Sequence, residues 1–135
     1  MAGIVILGLG PGAPEQVTRE AWAVLATAEE VWLRTTHHPV VAELPKTLQL
    51  RSFDALYEQL PTFEQVYATI VEEVLVLGRR EQGVMYATPG HPLVAEAAVP
   101  EILARARAEG LPVRVVAGLS FLEPVLTALE AARFA

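Results

Sequence analysis

Four short segments hold the residue types that could do chemistry. Gly8-Leu9-Gly10-Pro11-Gly12-Ala13 fits the Gly-x-Gly-x-x-Gly/Ala spacing of dinucleotide-binding turns. In such turns the glycines let the backbone approach a pyrophosphate at a helix N-terminus. Pro11 lacks the amide hydrogen that such a cradle uses, and Pro14 delays any helix. Three readings stay open here: a pyrophosphate site, a tight strand-to-helix turn, or close approach of some other ligand. Thr88-Pro89-Gly90-His91-Pro92 is the second segment. Two prolines around a glycine stiffen the backbone and expose carbonyls and the His91 ring. It reads as a rigid loop with a solvent-facing histidine, or as the wall of a bound cofactor with His91 as polar contact or proton carrier.

The third segment is Arg34-Thr35-Thr36-His37-His38-Pro39. Arg34 could pair with a carboxylate or phosphate of a substrate, or lie on the surface. It stands where a dinucleotide fold usually places an acidic ribose ligand, so a 2′-phosphate, as in NADP, is the nucleotide reading that survives. Adjacent histidines on a loop do not easily share one ion, and no aspartate is expected nearby, the only one being Asp54. No metal site is therefore expected. The fourth segment, Gly118-Leu119-Ser120-Phe121, starts like a nucleophile elbow, but position 122 is Leu where the Gly-x-Ser-x-Gly pattern needs glycine. Ser120 could bond a ligand or cap a following helix, and Glu123 is assigned no role.

These loops need strands and helices to hold them. Gly3–Leu7 is an apolar, partly β-branched run ending at glycine, which suits a strand buried on both faces. Thr18 can cap a helix to about Thr27, with Trp22 and Leu25 facing inward. Val31–Leu33 and Leu48–Leu50 read as short strands, with a helical turn at Pro39–Leu44 between them. Thr62 and Gln65 have capping-box spacing, and Phe63, Val66, Ile70, Val71 and Val74 recur at helical period to about Leu77. Gly83–Thr88 and Val113–Ala117 are further strands. A helix from about Val94 to Glu109 contains Pro100, which predicts a kink or break near Val99. A last helix starts near Leu122. Strands alternating with helices imply a doubly wound, mainly parallel five-stranded sheet with helices on both faces. The four segments then fall at its carboxyl edge, where such sheets bind ligands.

Composition narrows the function. The 135 residues suit one domain or part of a larger protein. A net charge of −6 with scattered basic residues argues against a nucleic-acid partner. The absence of cysteine removes thiol chemistry and disulfides. The start lacks a basic leader, and no apolar run approaches the ~20 residues needed to span a bilayer, so a soluble cytoplasmic protein is expected.

Taken together and in order, the four loops resemble the tetrapyrrole (corrin/porphyrin) methylase family. The likeness lies in Gly8-Leu9-Gly10-Pro11-Gly12, in Gly90-His91-Pro92 where the family usually has Gly-Asp-Pro, and in Ala117-Gly118-Leu119-Ser120 where it has Pro-Gly-x-Ser/Thr. The segments Leu33–Pro39, Tyr86–Glu96 and Gly118–Pro124 are similar to the branch fused to a MazG-type nucleotide pyrophosphohydrolase. The resemblance covers essentially the whole chain. It implies an S-adenosylmethionine-dependent methyltransferase with two α/β domains, of which residues 1–135 are the N-terminal one, and a homodimer. S-adenosylmethionine would lie between the domains, against Pro11, Pro89, Gly90, His91, Ser120 and Phe121. Gly8, Gly10, Gly12 and Arg34 would face the methyl acceptor, possible tetrapyrroles included, with His91 or His38 taking a proton or orienting it. The second domain and the pyrophosphohydrolase are expected outside this sequence, since no two carboxylates here are spaced three apart as Mg²⁺ helices require. A non-catalytic sensor attached to a pyrophosphohydrolase, and an NADP-binding domain, are the alternatives.

Overall fold

Five short parallel strands carry the loops. In the computed structural model, which describes residues 1–130, they are β1 (Ile4–Gly8), β2 (Glu30–Leu33), β3 (Gln49–Ser52), β4 (Val84–Thr88) and β5 (Val113–Val116). Their order in the sheet is β3-β2-β4-β1-β5, and every pairing is parallel. The central strands β1 and β4 are apolar along nearly their whole length because both their faces are covered. The expected architecture is the observed one; the final five positions of the expected domain lie outside the described residues.

The helices are α1 (Arg19–Thr27), α2 (Asp54–Gln59), α3 (Phe63–Gly78), α4 (Ala98–Ala108) and α5 (Leu122–Leu129). One face of the sheet packs against α3 and α4 around Ile6, Ile70, Val74, Tyr86 and Ile102, all fully buried. Each such aliphatic side chain contributes about 1.5–3 kcal/mol relative to exposure. The other face packs Leu7, Val31 and Leu33 against Leu25 of α1 and Val40 of a 3-10 turn, Pro39–Glu43. Thr18 caps α1 by accepting from the Ala21 amide, and Thr62 caps α3 by accepting from the Gln65 amide. α5 buries none of its residues.

Three expectations need correction. The helix expected from Val94 starts only at Ala98, because Ala95 adopts a left-handed backbone (φ 57). Pro100 then falls in the first turn, where its missing amide hydrogen has no intrahelical partner to lose, so no kink or break forms near Val99. The strand expected at Leu48–Leu50 lies at Gln49–Ser52, and α2 follows it at once. α2 has no long apolar period to announce it; Leu56 and Tyr57 simply fold back onto the core.

Candidate functional site

The carboxyl edge of the sheet brings three of the four loops into direct backbone contact. Gly10 and Gly90 form an antiparallel bridge: the Gly90 amide donates to the Gly10 carbonyl at 2.8 Å, and the Gly10 amide to the Gly90 carbonyl at 3.2 Å. A Cβ on Gly8 would sit 2.5 Å from the Gly90 oxygen and 2.9 Å from the Gly118 nitrogen. A Cβ on Gly118 would overlap the same Gly90 oxygen and come within 3.0 Å of the Gly8 Cα and carbonyl carbon. These glycines are required because three strand ends converge with no room for side chains. Gly10 is further fixed by its positive φ of 77. Gly12 differs: no atom lies within 4 Å of where its Cβ would stand, so that side of the turn is open.

The loop Pro89–Pro92 runs beside this knot. His91 Nδ1 accepts from the Leu93 amide at 3.0 Å, which places the ring proton on Nε2. Nε2–H has no protein acceptor among the described residues and is the group His91 can offer a ligand. Thr88 just before it is fully buried, and its hydroxyl has no partner. Phe121 is 54% exposed and Leu93 equally so, giving the rim an apolar surface.

Ser120 lies just before Phe121, the N-cap of α5. Its hydroxyl accepts from the Leu122 amide at 3.0 Å, while its own amide and hydroxyl donate to the Glu123 carboxylate. These bonds tie Ser120 to the first turn of α5, and Glu123 has a structural role in holding it there. The Ser120 hydroxyl holds the Glu123 carboxyl below its ordinary value.

The Arg34–His38 loop is tied in by two side chains. His38 Nε2 lies 2.8 Å from the Gly10 carbonyl, and its Nδ1 accepts from the Val40 amide at 3.1 Å. Arg34 Nε lies 3.5 Å from a carboxylate oxygen of Glu96, whose side chain is only 7% exposed. Burial pushes the Glu96 carboxyl up, and Arg34 pulls against that. Among the described residues Arg34 Nε and the Tyr86 hydroxyl of the same cluster have no hydrogen-bond partner, and burial raises the Tyr57 and Tyr86 phenols. Tyr57 carries no readable signal in sequence, and Tyr86 and Glu96, the two ends of the Tyr86–Glu96 motif, have no individual role legible there.

Asp54 corrects the expectation that no aspartate lies near this loop. It accepts from the Thr36 amide at 2.9 Å, the Thr36 hydroxyl at 2.6 Å and the Ser52 hydroxyl. Burial raises its pKa, but hydrogen bonds from the Thr35 and Thr36 hydroxyls, the Thr36 amide and Ser52 outweigh that and lower it to about 2. Among the described residues no three His, Asp or Glu side chains are grouped to hold a metal ion.

The family model for tetrapyrrole (corrin/porphyrin) methylases matches residues 3–132. The chain belongs to that family. It is 40% identical over 132 residues to an uncharacterized Bacillus subtilis protein, YabN, covering 96% of this chain and 27% of that one. Among solved structures it is similar to a uroporphyrin-III C-methyltransferase from Thermus thermophilus, with 29% identity, a TM-score of 0.67, and coverage of 96% of this chain and 54% of the other. A Thermus thermophilus uroporphyrin-III C-methyltransferase complexed with S-adenosylhomocysteine shares the fold at 21% identity and TM-score 0.59, covering 93% and 51%. The chain thus spans about a quarter of the bacterial relative and about half of these methyltransferases.

One larger cavity, about 690 Å³, lies at the opposite, amino edge of the sheet, lined by Met1–Val5, Gln82–Met85 and Pro112–Arg114. It contains no orphaned buried polar group, and parallel sheets bind ligands at the other edge. No described helix is long and apolar enough to cross a membrane.

Proposed function

We propose that this chain forms the N-terminal half of an S-adenosylmethionine-dependent methyltransferase, with its carboxyl-edge loops as one wall of the cofactor and acceptor cleft. The observation that carries this reading is the backbone knot of Gly8, Gly10, Gly90 and Gly118, at the strand ends whose loops carry Gly12, His91 and Phe121. Pro11, Pro89, Gly90, His91, Ser120 and Phe121 would hold the cofactor, which supplies an electrophilic methyl group. Methyl transfer needs alignment and exclusion of water more than acid–base groups. A backbone locked by three strand ends supplies the alignment. His91 offers a donor to the cofactor or acceptor, and the open side of Gly12 admits a planar acceptor, a tetrapyrrole being the family's substrate class. Arg34 is held by Glu96 and belongs to the frame of the site. The nicotinamide reading is weaker, because Gly8 and Gly10 make room for backbone and Arg34 lies 3.5 Å from the Glu96 carboxylate.

Calorimetry with S-adenosylhomocysteine on the natural full-length protein tests this. One site per chain is expected, weakened about tenfold by His91→Ala, the scale of one lost hydrogen bond. An intact, folded protein that binds none of it contradicts the reading. A second reading, a sensor domain regulating an attached nucleotide pyrophosphohydrolase, is favoured by His91 standing where most of the family has Asp. Deleting residues 1–135 should then alter the rate of nucleotide hydrolysis; an unchanged rate and oligomeric state speak against it.

A further inference from the structure

We infer that His38 is a positioning residue for the cofactor loop and acts through the Gly10 carbonyl; the binding part of its test rests on the methyltransferase reading above. The sequence reading allowed His38 to carry a proton, but the geometry assigns both its ring nitrogens to the backbone. Nδ1 accepts from the Val40 amide, so the ring proton lies on Nε2 and is donated to the Gly10 oxygen. A histidine in that state has no nitrogen left for a substrate. What it does have is a rigid seat. It caps the Pro39–Glu43 turn, whose Val40 is fully buried, so the turn that carries the partly buried ring is anchored on the α1 face of the sheet.

The Gly10 oxygen is the shared point. It accepts two hydrogen bonds, one from His38 and one from the Gly90 amide. Gly10 adjoins Pro11, and Gly90 lies between Pro89 and His91. The imidazole therefore fixes the carbonyl that spaces the first loop from the cofactor loop. The second link from the same segment, Arg34 to Glu96, reaches the far end of the Pro89–Glu96 stretch. The Gly8–Gly12 loop is bonded to Pro89–Pro92 through the Gly10–Gly90 bridge, His38 ties the Arg34–Pro39 loop to Gly10, and Arg34 ties it to Glu96. A closed set of ties of this kind holds a site in its productive geometry before ligand arrives.

Two variants separate the cap from the clamp. His38→Asn keeps a short acceptor for the Val40 amide but cannot reach Gly10. His38→Gln keeps a donor at the distance of Nε2 and gives up the acceptor near Val40. In the full-length protein, the Asn variant is expected to weaken S-adenosylhomocysteine binding by about tenfold while melting near wild type, and the Gln variant to recover most of that affinity despite a lower melting temperature. Amide exchange of Gly90, read by NMR on this chain, should speed up in the Asn variant and stay slow in the Gln variant. Equal affinity in wild type and the Asn variant, or unaltered Gly90 exchange, overturns the assignment. If even wild type binds no S-adenosylhomocysteine, the methyltransferase reading falls, and the Gly90 exchange rates alone decide whether His38 positions the loop.

Discussion

Replacing Gly118 with alanine tests the knot that underlies the site. Gly118 needs no unusual backbone angle, so the effect of a methyl group there is steric alone. That methyl would overlap the Gly90 carbonyl oxygen and approach the Gly8 Cα and carbonyl carbon at 3.0 Å. All three are backbone atoms of neighbouring strand ends, held by the Gly10–Gly90 bridge and the β1 pairings, so no flexible side chain can yield. The cost should reach the upper end of the overpacking range, about 3 kcal/mol. For a domain of this size that is a drop in melting temperature of about 10 °C. Thermal unfolding followed by circular dichroism measures it. Leu119→Ala, one residue on and 37% exposed, is the control and should cost less than about 1 kcal/mol. A Gly118→Ala protein melting within about 2 °C of wild type would show that the three strand ends are not packed backbone to backbone.

Other perturbations follow from the buried polar groups. Arg34→Met leaves Glu96 as a buried, unpaired carboxylate and should destabilise by about 3 kcal/mol near neutral pH. Because burial raises the Glu96 pKa above its unfolded value of 4.5, the native state binds that proton more tightly and gains stability as pH falls. Urea midpoints should therefore show the Arg34→Met loss shrinking on acidification; a loss constant from pH 8 to pH 5, about the range needed, contradicts the burial of Glu96. Asp54 has the opposite sign, since its pKa is lowered from 3.8 to about 2. Its contribution is present above the unfolded value and lost as pH drops through the folded one, so Asp54→Asn should flatten the acid limb of the stability curve, and an unchanged limb would count against it. Tyr86→Phe removes a fully buried hydroxyl with no partner and should raise stability by about 1 kcal/mol in chemical denaturation, whereas a clear loss would mean that the hydroxyl is satisfied.

The periodic and punctuated parts of the fold were legible in the sequence. The apolar run before Gly8 and the Val66, Ile70, Val74 spacing each encode burial directly. The candidate site was legible as loops but not as contacts. Gly8-x-Gly10 looks like a ligand signal, and only three dimensions show that Gly8 makes room for the Gly90 and Gly118 backbone and Gly10 for the Gln16 carbonyl. Glu96 could not be read, because its partner Arg34 is 62 residues away and a left-handed Ala95 turns the chain toward it. Pro100 reads as a helix breaker in sequence, but in the fold it lies in the first turn of α4, where proline is tolerated. Ser120 is legible in sequence as a residue at the start of the last helix, whereas its bonds to Glu123 appear only in the folded loop.

Hydrogen–deuterium exchange of the full-length protein, with and without S-adenosylhomocysteine, tests the central claim most directly. Protection is expected together in peptides covering Gly8–Gly12, Pro89–Pro92 and Gly118–Phe121. Protection confined to Met1–Val5 and Gln82–Met85, around the amino-edge cavity, would place the ligand at the wrong end of the sheet and contradict it.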